Sequence, residues 1–383
     1  MTADIADRVT KLLADHGADD QVAFLGAQFD AGLAWVHFPR GFGGLGVAPK
    51  LQEVVDERLQ AAGRRYPWTR NPMGIGMVGP TIAHHGTDEQ RGYLRAIWTA
   101  EELWCQLFSE PGAGSDVATL ATRAVRDGDE WITSGQKVWT SLAHAARWGL
   151  LLARTNPDVP KHSGLTAFVL DMHAPGVDVR PLRQMSGESH FNEVYLTDVR
   201  IPDSSRVGGE GDGWKVAVTT LMNERVSIGG SVEPRGGGPI ASAVAVWRRY
   251  GEQAPPALRA RLLRLWVEAE VLRLGNVRAQ QLREHGTPGP EGSVLKLGGA
   301  LLAQRIADFA VTAMGAQGGL ISGYSGGGGQ AEDDVVHHLL AAQSTTIAGG
   351  TTEIMKNILG ERILGLPPEP RADKDVAWTA IPK

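Results

Sequence analysis

The chain has one cysteine in 383 residues. A lone thiol, Cys105, excludes an intrachain disulfide and any cysteine-rich metal site. It sits inside the apolar stretch Leu103-Trp104-Cys105-Gln106-Leu107, which reads as a buried strand, so it reads as packing and not as a reactive group. No apolar run is long enough to span a bilayer. The acidic start, Met1–Arg8, lacks the apolar core of a signal peptide. The expectation is a cytoplasmic protein without a membrane partner. There is no excess of basic charge either. A net charge of −5 gives no electrostatic reason to expect nucleic acid. Internal repeats are absent as well.

What is present changes character twice along the chain. Apolar positions recur at helical spacing in Val9, Leu12 and Leu13 and again in Val54, Val55 and Leu59. Thr87-Asp88-Glu89-Gln90 fits a capping box opening a helix with Tyr93, Leu94, Ile97 and Trp98. From about residue 103 the period becomes that of strands. Thr122–Arg126 and Glu130–Thr133 flank Asp127-Gly128, a hairpin signal, and Gly149–Arg154, Leu165–Leu170 and Glu193–Leu196 read as further strands. Helices return after Gly213-Trp214, over Val216–Glu224, Ala257–Arg283, Gly292–Met314, Glu332–Ala342 and Thr352–Ile363. The glycine run Tyr324–Gln330 reads as a mobile loop, and the chain from Pro367 on as an irregular, proline-rich tail. An order of α, then β, then α argues for an α+β protein and against a doubly wound sheet, which needs alternation. The expected divisions are 1–102 helical, 103–215 β, 216–366 helical and 367–383 tail.

Two stretches imitate a dinucleotide fingerprint. Gly41–Gly46 and Gly74–Gly79 both match GxGxxG, but neither stands in a βαβ run, so both read as loops joining helices. The pairs His84-His85 and His337-His338 imitate metal ligands. Adjacent helical residues point about 100° apart and cannot easily share an ion, which leaves helix-end or surface pairs.

The most informative stretch is Phe108-Ser109-Glu110-Pro111-Gly112-Ala113-Gly114-Ser115-Asp116, directly after the Leu103–Leu107 strand. It puts hydroxyls and uncovered amides in one tight turn, and its glycines admit a ligand close to the main chain. On physics alone, a plain surface turn is an equal reading. Further on come Gly135-Gln136-Lys137-Val138-Trp139-Thr140-Ser141 and Gly349-Gly350-Thr351-Thr352-Glu353-Ile354. Together, in this order, the three stretches resemble the two flavin-contact motifs and the C-terminal active-site motif of the acyl-CoA dehydrogenases. The likeness runs from about Phe38 to Glu369 and is weakest between Gly229 and Gly292.

That resemblance implies an N-terminal helical domain, a middle β-barrel or sandwich domain and a C-terminal four-helix bundle. It implies FAD as cofactor and removal of hydrogen across the α,β-carbons of an acyl-CoA, giving the trans-2-enoyl-CoA. It places Gln106, Phe108, Ser109, Gly114, Ser115, Trp139 and Ser141 at the flavin, with Thr351 and Glu353 near it and Ser115 also near the ligand. Glu353 stands where a glutamine is common. Taken alone, Trp139 reads as a core tryptophan on a half-buried strand; beside the other motifs it reads as a flavin contact. The amide of Gly349 or Gly350 is implied as the donor to the thioester oxygen, with Gly349 beside the substrate.

The base departs from the commonest pattern. Many members carry a glutamate just before Gly-Thr; this chain reads Ala348-Gly349-Gly350-Thr351. A smaller branch, which includes isovaleryl-CoA and long-chain dehydrogenases, carries the glutamate on an earlier helix before an arginine. Leu221-Met222-Asn223-Glu224-Arg225 resembles that segment, which makes Glu224 the expected base and Arg225 a substrate neighbour. The competing reading of Glu224 is an ion pair with a neighbouring helix. The arginine that usually reaches the FAD diphosphate has only a poor counterpart in Val232-Glu233-Pro234-Arg235-Gly236, and Met314–Gly319 matches the usual glycine pair loosely. Such departures resemble actinobacterial members built from two unlike subunits, often acting on bulky acyl-CoA compounds including steroid side chains. The implied partners are an acyl-CoA, an electron-transferring flavoprotein, and either copies of this chain (dimer or homotetramer) or an unlike subunit. Two alternatives stand beside the active dehydrogenase: a half-site or non-catalytic subunit of such a pair, and an acyl-CoA oxidase or flavin monooxygenase on the same scaffold.

Overall fold

Asn71, wholly buried, shapes the join between the first helices and the sheet. Its carboxamide accepts from Gly74 N and donates to the carbonyls of Ile97 and Glu102, both at 3.1 Å. Those bonds hold Gly74–Val78, expected as a loop, in a π-helical turn that runs into the next helix. The computed structural model to which this belongs describes residues 2–228, 233–284, 291–320, 335–371 and 373–381.

The first hundred residues form α1 (Thr2–His16), α2 (Gln21–Asp30), α3 (Gln52–Ala61), α4 (Gly79–His85), α5 (Asp88–Arg91) and α6 (Tyr93–Thr99). Ile5, Val9 and Leu12 of α1 meet Val55 and Leu59 of α3, as the helical spacing requires. Thr87 and Gln90 form both bonds of the capping box, and the helix they open breaks at Gly92 before α6 buries Leu94, Ile97 and Trp98. Gly41–Gly46 is a loop with positive φ at Gly41, Gly43 and Gly46.

Eight strands follow: β1 (Trp104–Leu107), β2 (Arg123–Asp127), β3 (Glu130–Ser141), β4 (Trp148–Arg154), β5 (Leu165–Asp171), β6 (Val177–Leu182), β7 (Phe191–Pro202) and β8 (Arg206–Val207). They make one mixed sheet in the order β6-β7-β3-β2-β4-β5-β8, with β1 parallel to β4. β2 touches β4 only where Arg123 faces Arg154, which leaves Trp148–Leu151 of β4 for β1. The β2–β3 turn falls at Gly128-Asp129, one residue later than the sequence signal, because Gly128 takes φ +62° at its first central position. β6 and helix α8 below were not expected.

The helices then are α7 (Gly213–Ile228), α8 (Pro239–Tyr250), α9 (Pro256–Glu284), α10 (Glu291–Met314), α11 (Val335–Ala342) and α12 (Thr352–Arg362). The glycine run Tyr324–Gln330, Val232 and the expected helical residues 332–334 lie outside the described residues. Among the described residues no helix is long and apolar enough to cross a membrane, and no group of three or more His, Cys, Asp or Glu could hold a metal ion.

The chain divides into two compact units. The first comprises Met1–Leu182, His190–Glu224 and Arg371–Lys383. One of its cores merges N-terminal helices with the sheet through Trp35, Trp98, Trp104, Phe108, Leu150 and Leu152, and takes in Val216 and Ala217 of α7. The second comprises Arg183–Ser189 and Arg225–Pro370. There Leu302, Ile306 and Phe309 of α10 pack against Ile240 and Ala243 of α8 and Leu262 and Leu265 of α9. The class is α+β, with helical, β and helical parts in sequence order.

Candidate active site

β1 ends at Leu107 and the chain turns back on itself. Glu110 and Ala113 exchange main-chain bonds of 3.1 and 3.0 Å across Pro111-Gly112. A Cβ on Gly112 or Gly114 would meet open space, and Gly114 and Ser115 are exposed, so the main chain of this loop is uncovered. Cys105, behind it in β1, is fully buried and its thiol is pushed up to about 12 by that burial.

A buried ion pair holds the loop from within. Lys137 Nζ, with no exposed surface, donates to Glu110 Oε1 at 2.9 Å and to the Phe108 carbonyl at 3.0 Å. The Glu110 carboxylate also accepts from the amides of Ala121 (2.7 Å) and Thr122 (2.9 Å). Burial alone would raise Glu110, but the Lys137 charge and the hydrogen bonds outweigh it and hold the carboxyl below its usual range. Lys137 has fewer partners, and burial pushes it down to about 8 against the pull of Glu110. Neither residue was among the sequence candidates.

The second motif lies along the first. Val138 N donates to the Ser109 carbonyl at 2.9 Å. Between Lys137, which faces Val194, and Thr140, which faces Asn192, β3 carries one residue more than β7. This bulge turns Trp139 outward at φ +59° and 56% exposure, with its edge against Phe191, while Val138 and Thr140 stay buried. Leu142 also takes φ +59°, so Ser141 sits between two strained positions. Phe108, Ser109, Trp139 and Ser141 therefore share one neighbourhood, with Gln106 half-buried on the adjoining strand. The side chains of Gln106, Ser109, Ser115 and Ser141 form no hydrogen bond among the described residues. An uncovered loop, an outward indole and four uncommitted polar side chains can receive a flat ligand with a polar edge.

α7 buries Val216, Ala217 and Thr220. Glu224 follows Ala217 by seven residues and Thr220 by four, which puts it on the same face of the helix, and it is half-buried. α4 fixes that helix: the Thr81 and Thr220 hydroxyls lie 3.0 Å apart, and His85 Nε2 is 2.8 Å from the Thr219 hydroxyl. Burial and the neighbouring His84 lower the His85 pKa. The side chain of Arg225 lies outside the described residues.

The third motif belongs to the second unit. Gly349 and Gly350 take φ of +65° and +93°. Thr351 caps α12, its hydroxyl accepting from Ile354 N at 3.2 Å, and Glu353 is exposed in the first turn. Lys296 of α10 donates to the carbonyls of Gly350 and Thr345, which fixes the glycine turn. Lys296 was also missed from sequence, because its partners are carbonyls that carry no side-chain signal.

Residues 105–199 match the model for the acyl-CoA dehydrogenase middle domain, and residues 211–364 match the acyl-CoA dehydrogenase C-terminal domain. Among curated proteins, acyl-CoA dehydrogenase FadE34 of Mycobacterium tuberculosis is 42% identical over 88% of this chain, which spans only 45% of that relative's length. Acyl-CoA dehydrogenase IpdE1 of the same organism is 37% identical over 88% of this chain and 86% of its own length. Among solved structures, the Tcur3481-Tcur3483 steroid ACAD superposes with a TM-score of 0.75 at 27% identity, covering 96% of this chain and 98% of that one. By its matched domains and its relatives, this chain belongs to the acyl-CoA dehydrogenases, a family of FAD-dependent oxidoreductases.

Proposed function

We propose that the chain dehydrogenates an acyl-CoA thioester, with Glu224 as the base. The observation that carries this is the placement of Glu224 on the buried face of α7, in the same unit as the uncovered Phe108–Ser115 loop and the outward Trp139. FAD fits the residues present: uncommitted groups on Gln106, Ser109 and Ser141 suit the polar edge of its ring, and Trp139 offers an apolar face. Phe108 and Gly114 line the same loop, and Ser115 serves both cofactor and substrate. When bound, FAD supplies the acceptor for the hydride that leaves the β-carbon. Glu224 takes the proton from the α-carbon, and the electron pair of that C–H bond forms the new double bond. The amide of Gly349 or Gly350 donates to the thioester oxygen as negative charge builds there, an effect often worth about 3 kcal/mol. From the C-terminal motif we assign Thr351 and Glu353 to FAD and Gly349 to the substrate, as we do Arg225 from its helix.

The test is reduction of the flavin by acyl-CoA without oxygen. Glu224→Gln is expected to slow bleaching about 10²–10⁴-fold while the yellow colour is retained. Undiminished bleaching in that variant would remove Glu224 from the role. Electrons then pass to an electron-transferring flavoprotein, in preference to oxygen; peroxide release in air would reverse that assignment. The steroid named for the structural neighbour, together with glycine at both 349 and 350, supports a bulky acyl group. Turnover confined to short straight chains would refute it.

A second reading has the chain complete its site only beside an unlike subunit. Favouring it are the two chains named in that neighbour and the poor counterpart of the diphosphate arginine at Arg235. A colourless chain purified alone, turning yellow when an unlike subunit is co-expressed, would decide for it; bound FAD in a homo-oligomer would decide against it.

A further inference from the structure

The tail expected to be irregular beyond Pro367 has little regular structure, yet it is held at several points. From Arg371 the chain returns to the first unit. Trp378 N donates to the Val159 carbonyl at 2.9 Å, Thr379 N to that of Pro157 at 3.1 Å, and Ala377 bridges to Pro160. The Trp378 indole N–H donates to the Thr119 carbonyl at 3.1 Å, and the Arg154 guanidinium lies 4.6 Å over its ring. Arg154, 4% exposed, donates in turn to the carbonyls of Ala118 and Leu120. Lys161 pairs with Asp373 of the tail and with Asp116, the residue after Ser115. The tail thus reaches either the 157–161 loop or the Asp116–Leu120 segment that continues the Phe108–Ser115 loop. On the other side of that segment, the Glu110 carboxylate holds the amides of Ala121 and Thr122. The loop is clamped at both ends, once by the buried ion pair and once by the tail. The neighbouring His162 packs on Trp214 in the first turn of α7, the helix that carries Glu224.

We infer that residues 373–381 are a positioning strap for the Phe108–Ser115 loop, with Trp378 as its anchor. This rests on the reading above that the loop holds FAD. Trp378 touches no reacting atom; it acts by fixing Thr119 and Arg154, and through them the exit of the loop. Without it the exit of the loop keeps the Lys161 ion pairs and the Arg154 bonds but loses the contact that braces them, and the ordering entropy of the looser end falls on ligand binding.

The experiment uses the full chain carrying Trp378→Ala or Trp378→Phe, with backbone amide exchange and FAD titration as readouts. Trp378→Ala is expected to speed exchange in residues 108–122 while α9 and α10 are unchanged, and to weaken FAD affinity on the order of tenfold. Trp378→Phe keeps a ring beneath Arg154 but has no N–H for Thr119, so it should recover part of both effects. Unchanged exchange in 108–122, or loosening spread evenly over the molecule, would overturn the inference. Should the alanine variant fail to fold, the phenylalanine variant carries the same comparison against wild type. Exchange reads the strap even if the wild-type chain alone takes up no FAD, in which case FAD is titrated with the unlike subunit co-expressed; no uptake there either would sink the FAD reading separately. If exchange changes but FAD affinity does not, the strap is structural only and the positioning role falls.

Discussion

At the residue scale the molecule depends on a charge placed where charge is costly. Removing one member of a buried pair leaves the other uncompensated, typically at about 3–5 kcal/mol. Lys137→Met should therefore destabilise the chain by about that amount in urea unfolding, and pairing it with Glu110→Gln, which keeps an acceptor for the Ala121 and Thr122 amides, should restore much of it. Loss of bound FAD in both variants, despite recovered stability in the second, would mark the pair as a support of the loop. Acid adds a second check. Glu110 has a folded pKa below its unfolded one, so its contribution is present above the unfolded value of about 4.5 and is lost as pH falls through the lowered one. Glu110→Gln should flatten that part of the stability profile. Lys137 was open to notice in sequence, since Trp131, Thr133 and Lys137 share the inward parity of β3. A lysine in that register demands a buried anion. What no parity rule provides is the partner, which sits on a different loop.

At the scale of elements, the strained join in β3 matters most. The sequence pattern marked the strand and the motif but not the extra residue, because a bulge is defined by the partner strand and β7 is far away in sequence. Trp139 at φ +59° costs of order 1 kcal/mol or more that glycine would not. Trp139→Gly should thus leave the urea midpoint close to wild type while FAD is held more weakly. A large drop in stability would mean that the indole is a packing residue after all. Helices were legible where apolar spacing was strong, as in α1 and α10. β6 escaped notice because Val177 and Val179 alternate with Asp178 and Arg180 over a very short run, and the pattern gains meaning only opposite β7. α8 went unassigned, although Ile240, Ala243 and Val246 recur at helical spacing and proline is well suited to a first helical turn.

At the scale of the whole molecule, three motifs in order were enough to identify the family, because each is a continuous string. The two compact units were not legible, since they are discontinuous: Arg183–Ser189 lies with the second unit, and Arg371–Lys383 with the first. No local composition shift announces either exchange. The chain passes from one unit to the other after Leu182, Ser189, Glu224 and Pro370. On a ribosome, the sheet and its Phe108–Ser115 loop are therefore exported well ahead of Trp378, with Arg225–Pro370 of the second unit translated in between. The nascent first unit must wait, and Thr119 and Arg154 gain their Trp378 contacts only late in synthesis.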